Sequence, residues 1–460
     1  MNRLKISRSV SAFLVCFALL LFYIYGWFRC PALYKSDYGI LVLCHLFMSA
    51  AFMWIVSKKT FYAFEPIVFV TLMYYLIFVL MPIINILTNN LYVFGYNPMG
   101  GCVKATFIFL LGYVALFFGY YLFDKKKAGE REVREEYDKK DLLLYSWIVW
   151  VAAIAIYLLY NQLIGRSVLY MLSFGFLGGG SIGSSSFTVD FLSMIVYCSF
   201  FPMMNIFNYS QSKWVKLLVL YVTCVPLATR GFRSVLIIPL LAPFIYHYLK
   251  KKKTPSFKMF CLVLALIILM IGAIGYARGS LRVGEGADFE GYEYSDGVEG
   301  MLDYLGSYKV FYSAVEKYPA QYDYTMGQQL AYSVIMYIPR AIWPEKPAAP
   351  VQEAIGNAVN GIAKEAGSTW PNLGEYYTDL GVFGVALIMF LLGMILAKMK
   401  KLYESGRVTS SSLSMYSLLL PGLLPIIAYG YTAGNLPTIV FMALPLLGQK
   451  ILLKKKTNGK

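Results

Sequence analysis

The residues best suited to chemistry lie near the ends of apolar runs. Two arginines stand in the link Thr229-Arg230-Gly231-Phe232-Arg233, between runs at 214–229 and 234–249. A helix of about 16 residues is about 24 Å long, and a bilayer's hydrocarbon core is about 30 Å thick. Both helices would fall short, leaving Arg230 and Arg233 recessed below the outer surface, in a hairpin bent further by Pro226, Pro239 and Pro243. An arginine at that depth is costly and tends to be functional. Its planar fork suits bidentate phosphate binding. The other reading is that both side chains snorkel to headgroups or cap a helix C-terminus. Arg278 and Arg282 follow the next run, Arg340 and Lys346 lie in the proline-rich stretch around Trp343, and Arg166 precedes the run GGGSIGSSS. Singly each reads as a headgroup contact; together they make a cationic patch for a pyrophosphate at the membrane surface.

One carboxylate stands out. Glu375 lies at the entry to another apolar run, flanked by Trp370, Tyr376 and Tyr377. A carboxylate partly withdrawn from water there suits a general base. It also suits the first turn of a helix, where the dipole favours an acid. Asp379, Asp323 and Asp303 are weaker candidates. The many nearby tyrosines can stack on sugar rings or simply pack.

Missing motifs narrow the chemistry. There is no DxD, HExxH or P-loop pattern. His45 lies inside the second run and His247 near the basic end of the eighth. Neither is expected to reach the outer face, so an external base has to be a carboxylate, a tyrosine or a backbone-assisted group. No metal and no cofactor are expected. Nucleotide sugars and ATP are cytoplasmic, so an external site needs another kind of donor.

Hydrophobic residues make up 58% of the 460 and charged residues 14%, well below the charge of a soluble domain. The reading is an all-α polytopic membrane protein of about 12 transmembrane helices, each of about 20 apolar residues. They are expected near 9–28, 38–57, 62–87, 102–123, 142–160, 189–209, 214–229, 234–249, 258–277, 380–397, 411–430 and 435–452. Basic clusters recur at Arg3–Arg8, Lys58–Lys59, Lys125–Lys140, Lys213–Lys216, Lys250–Lys253, Lys398–Arg407 and Lys454–Lys456. In this register they all fall on one side, which puts both termini in the cytoplasm. The net charge of +16 reflects that bias and attraction to anionic lipid, not nucleic acid.

Three regions follow: 1–277 with spans 1–9, a large extracytoplasmic loop at 278–379, and 380–460 with spans 10–12 and a basic tail. The loop opens with seven acids from Glu285 to Asp303 and no Lys or Arg among them, a solvated face. Helical spacing over Gly300–Tyr318 ends at Pro319, an apolar stretch at Tyr332–Ile338 ends at Pro339, and Val351–Ala366 reads as a short amphipathic helix. The seven cysteines show no metal spacing. Cys30 and Cys102 would pair only if the fold joined them; packing is the simpler role.

These features resemble the Wzy-type oligosaccharide repeat-unit polymerases of bacteria, which build O-antigen and capsular polysaccharide. The resemblance rests on the dozen runs with both ends inside and on Thr-Arg230-Gly-Phe-Arg233 opening a run. It rests further on Pro339-Arg340-Ala-Ile-Trp343-Pro344-Glu-Lys346-Pro347 in the large loop, and on Gly374-Glu375-Tyr376-Tyr377-Thr-Asp-Leu-Gly381-Val-Phe-Gly384 leading into the next run. It implies a GT-C-like, polyprenyl-diphosphate-dependent glycosyltransferase in the bacterial inner membrane that needs no metal. The growing chain would pass from undecaprenyl diphosphate to the next lipid-linked repeat on the extracytoplasmic face. Arg230, Arg233, Arg278 and Arg340 would hold the diphosphate. Glu375 would orient or deprotonate the acceptor hydroxyl. Arg166, Arg282, Lys346, Trp343, Tyr376 and Tyr377 would contact substrate. A chain-length regulator and a flippase are the expected partners. The alternatives are a lipid-linked oligosaccharide transporter, which would need polar groups near the bilayer midplane, and an O-antigen ligase, for which an external histidine would be expected.

Overall fold

Inside a bilayer the backbone has no water to bond, so each apolar run must satisfy its own N–H and C=O groups as a helix. The computed structural model describes residues 8–58, 61–124, 132–163, 165, 167–173, 194–228, 233–276, 305–336, 338, 342–359, 370–404 and 407–454. A helix lies at each of the twelve intervals above. In the first half these are α1 (Arg8–Arg29), α2 (Lys35–Ser57), α3 (Pro66–Tyr75), α4 (Met81–Leu87), α5 (Cys102–Phe123) and α6 (Lys139–Leu163). A π-helical turn, Leu76–Leu80, joins α3 to α4. After a short α7 (Val168–Leu172) come α8 (Phe200–Tyr209), α9 (Lys213–Ala228), α10 (Arg233–Lys250) and α11 (Phe257–Tyr276).

Among the described residues, eight stretches are long and apolar enough to cross a membrane: Ser9–Arg29, Ala32–Ser57, Pro66–Leu87, Pro98–Phe123, Lys139–Leu163, Asn372–Glu404, Ser410–Tyr429 and Thr432–Leu452. The chain is therefore an all-α polytopic membrane protein. The helices α8 and α9 are shorter, at 10 and 16 residues.

The described part of the large loop is packed, not open. It forms α12 (Tyr308–Lys317), α13 (Gln328–Ile335) and α14 (Pro350–Ala358). Each begins or ends away from its expected bounds: the described part of α12 starts at Tyr308, and α13 starts ahead of Tyr332 because Gly327, at φ 87°, turns the chain into it. Tyr308 accepts from Asn85 Nδ2 at 2.8 Å. Lys309 Nζ donates to Asn90 Oδ1 at 3.0 Å, and Lys317 Nζ donates to the Ala358 carbonyl at 2.7 Å. Burial holds the Lys317 ammonium below the usual lysine range, with Glu316 pulling the other way. Cys30 and Cys102 are both buried and free.

The last third holds α15 (Asn372–Glu404), α16 (Ser410–Tyr429) and α17 (Thr432–Leu452). α15 lies directly on α5. A Cβ on Gly119 would sit 2.2 Å from the Phe390 carbonyl oxygen, and one on Gly393 2.1 Å from that of Leu116. Small residues let membrane helices approach this closely.

At the basic side, β1 (Glu132–Arg134) pairs in parallel with β2 (Arg407–Thr409). Beside it Lys400 Nζ bridges Asp124 at 2.9 Å, Glu65 at 3.0 Å and Glu404 at 3.2 Å. The Tyr120 hydroxyl donates to Glu65 Oε1 at 2.6 Å. These contacts tie α3, α5 and α15 together at one end, opposite the region where Glu375 lies.

Candidate functional site

α15 is two helical segments. Gly381 has φ 66° and ψ −158°, a conformation that L side chains rarely adopt. The break separates a first segment, 372–380, from the long segment 382–404. Glu375 therefore rides on a short helix of its own. Tyr324 packs over the break: a Cβ on Gly381 would lie 3.2 Å from its ring.

Four contacts fix that first segment. Pro371 leads into it, and its carbonyl accepts from the Gly374 N–H at 2.7 Å. The Trp370 ring covers Gly374, where a Cβ would be 2.7 Å from Trp370 Cγ. The Tyr74 hydroxyl on α3 lies 2.9 Å from Asn372 Nδ2 and 3.1 Å from its Oδ1. At the far end Asp379 Oδ1 accepts from the Thr325 hydroxyl and from the N–H groups of Gly327 at 2.9 Å and Gln329 at 3.2 Å. Its Oδ2 accepts from the Leu330 N–H at 3.1 Å. Asp379 thus caps the start of α13, where helix N–H groups lack partners, and ties the loop to the Glu375 segment. Asp323 is exposed on the same loop; Asp303 lies outside the described residues.

Glu375 itself is 0% exposed. Its Oε2 accepts two bonds from Thr432, the N–H at 2.9 Å and the hydroxyl at 2.7 Å. Its Oε1 has no hydrogen-bond partner among the described residues. Buried polar atoms are nearly always paired, and an unpaired one costs about 1–3 kcal/mol, more when charged. Trp370 Nε1 is a second buried group without a partner among them.

Thr432 reaches Glu375 because of the turn before it. Gly430, at φ 45°, reverses the chain between α16 and α17. A Cβ there would lie 2.6 Å from the Pro371 carbonyl and 2.7 Å from Asn372 N. The turn is pressed onto the start of α15. Burial, then Tyr332 and Glu375, push the neighbouring Tyr431 phenol up to about 12, so it stays a neutral donor.

The two tyrosines after Glu375 face inward. Tyr376 is buried beside Asn372 and Thr432. Tyr377 donates to the Tyr318 carbonyl at 2.9 Å and accepts from Tyr324 at 3.4 Å. Burial, with Tyr377 alongside, pushes the Tyr324 phenol up to about 12 against the pull of Lys104. Lys346 is also turned in: its Nζ donates to the carbonyls of Ile338 at 3.1 Å and Met336 at 3.2 Å. That folds the proline-rich segment back onto the end of α13. Trp343 is part-exposed, at 38%.

Arg233 opens α10 by its backbone. Arg166, Arg230, Arg278, Arg282 and Arg340 lie outside the described residues, so their meeting with Glu375 stays an expectation. Among the described residues no group of His, Cys, Asp and Glu has a metal-site arrangement. Sequence reasoning missed Thr432, Asn372 and Tyr74. The only local signal for Thr432 was a glycine and a threonine between two apolar runs, which marks a turn and a helix start but no carboxylate.

The family model for O-antigen polysaccharide polymerase Wzy matches residues 10–456, nearly the whole chain. The chain belongs to this family. No curated protein and no solved structure matches it. Membership in the Wzy family gives the chain a general role as an O-antigen polymerase, with glycosyltransferase-type activity on lipid-linked oligosaccharide repeat units. In a Wzy polymerase the buried Glu375 carboxylate, held on one oxygen and unpaired on the other among the described residues, is the arrangement most in need of a chemical explanation.

Proposed function

We propose that this chain polymerises undecaprenyl-diphosphate-linked repeat units at the extracytoplasmic face, with Glu375 as the group that receives the acceptor proton. In the step, an acceptor hydroxyl oxygen bonds to the anomeric carbon of the donor sugar. The bond from that carbon to the diphosphate oxygen breaks, and undecaprenyl diphosphate leaves with the electron pair. The hydroxyl proton passes to Glu375 Oε1. General-base help of this kind contributes about 10²–10⁴-fold.

The observation that carries the reading is the asymmetry of Glu375. A carboxylate that only capped α17 would have no use for a second buried, unpaired oxygen. An acceptor hydroxyl would satisfy it. The leaving diphosphate needs positive charge aimed at it as the bond breaks, and the proposal gives that task to Arg230, Arg233, Arg278 and Arg340. Arg166, Arg282 and Trp343 would touch the sugars. Tyr376, Tyr377 and Lys346, whose side chains are occupied within the protein, would support the substrate surface from beneath. In this orientation both termini are cytoplasmic and the membrane is the bacterial inner membrane.

The test uses purified protein in lipid nanodiscs with a synthetic lipid-diphosphate-linked repeat unit. Glu375→Gln should lose polymer formation. Arg230→Ala and Arg233→Ala should shorten or abolish the product ladder, and unchanged length and yield in both would overturn the phosphate assignment.

A further inference from the structure

A carboxylate on a flexible side chain presents its two oxygens almost interchangeably, because the last torsion of glutamate is broad and two-fold. For proton transfer, one oxygen has to be free and aimed. In Glu375 the two oxygens are told apart by a residue far along the chain. Thr432 gives both its N–H and its hydroxyl to Oε2, at 2.9 and 2.7 Å, and Oε1 is left unpaired.

We propose that Thr432 is a positioning residue for Glu375: its two donors lock the carboxylate plane and dedicate Oε1 to the acceptor hydroxyl. The inference rests on the reading of Glu375 as proton acceptor. Two bonds to one oxygen from a single residue define a direction as well as an attraction. The N–H comes from the first turn of a 21-residue helix, where it has no partner within the helix. The hydroxyl is the part a substitution can remove, and it makes the shorter of the two bonds. With the hydroxyl gone, the carboxylate keeps one tether and can rotate about it. Misplacing a reacting group by about 1 Å can cost about a hundredfold in rate. Substrate binding should be affected little, because Thr432 touches the carboxylate and not the sugar.

The experiment compares Thr432→Val, which keeps size and N–H but lacks the hydroxyl, with Thr432→Ser, which keeps both donors. Initial rates are measured in nanodiscs with the same synthetic repeat unit, below the melting temperature of every variant. Thr432→Val should lower kcat about tenfold to a hundredfold with the acceptor KM within about twofold of the parent. Thr432→Ser should stay within about threefold of it. If Thr432→Val does not fold, Thr432→Ala removes the same hydroxyl without adding bulk. The proposal is overturned if the hydroxyl-less variant keeps the parent kcat, or if Thr432→Ser falls as far as Thr432→Val, since the methyl packing would then be what matters. An inactive Glu375→Gln beside a fully active Thr432→Val sinks this inference alone. A fully active Glu375→Gln sinks the proton-acceptor reading and this inference with it.

Discussion

Thr432 donates twice to one oxygen of Glu375, across 57 residues of sequence, and the other oxygen of that carboxylate has no partner among the described residues. The arrangement couples the start of α17 to a short helical segment at the start of α15. On the proposed reading of Glu375, it makes a turn that looks merely structural part of the site. Gly430 is the hinge of that turn, and its left-handed φ brings it against the Pro371 carbonyl.

Substitution of Gly430 should therefore act on the site and on stability together. In Gly430→Ala the left-handed conformation costs about 1–2 kcal/mol, and the new Cβ meets the Pro371 backbone at 2.6 Å. Melting in nanodiscs should fall by several degrees, and residual polymerisation at low temperature should be well below that of the parent. Parent-like melting and rate would show that the α16–α17 turn does not set the position of Thr432.

Asp379 was a candidate for chemistry on its type and location, but its four bonds make it a clamp. Asp379→Ala leaves the N–H groups of Gly327, Gln329 and Leu330 and the Thr325 hydroxyl without their acceptor. The buried Gln329 N–H alone would cost about 1–3 kcal/mol as an orphan, and the three part-buried donors add less. Limited proteolysis should cut near 325–330 much faster in the variant, with a lower melting temperature. Unchanged cleavage would mean that α13 is held by packing and not by this cap.

At the opposite end, Lys400 sits among Glu65, Asp124 and Glu404. Removing one partner of a buried ion pair typically costs about 3–5 kcal/mol, because the other charge is left behind. Lys400→Met should be strongly destabilised, and Glu65→Gln added to it should recover part of the loss. A Lys400→Met protein as stable as the parent would contradict this role.

Much of the fold was legible because lipid leaves an apolar run few options. Every expected interval holds a helix, and Pro319 falls just beyond the end of α12, as a proline should. The burial of Glu375 was legible as well, since an acid among aromatics at the head of an apolar run is unusual. Its partner was not, because the pairing depends on two helices meeting through a glycine turn, which no local pattern encodes. The break at Gly381 was hidden for a similar reason: glycines are common in membrane helices, and nothing nearby marked this one as left-handed. Lys346 shows the converse limit. Its charge suggested an exterior ligand, whereas its ammonium is satisfied by two backbone carbonyls.

Stability and activity should part at Glu375. A glutamine can accept both Thr432 bonds with its carbonyl and places a neutral amide where the unpaired oxygen was. Glu375→Gln should melt at or above the parent temperature, as is common when a group kept for function at a cost in stability is replaced. A large drop in melting would identify the carboxylate as structural.

The most direct test is the turnover of purified Glu375→Gln on a synthetic lipid-diphosphate-linked repeat unit in nanodiscs, read as a ladder on a gel. The account predicts a folded protein whose rate of polymer formation is lower by about 10²–10⁴-fold. A folded Glu375→Gln that builds the parent ladder at the parent rate would contradict it.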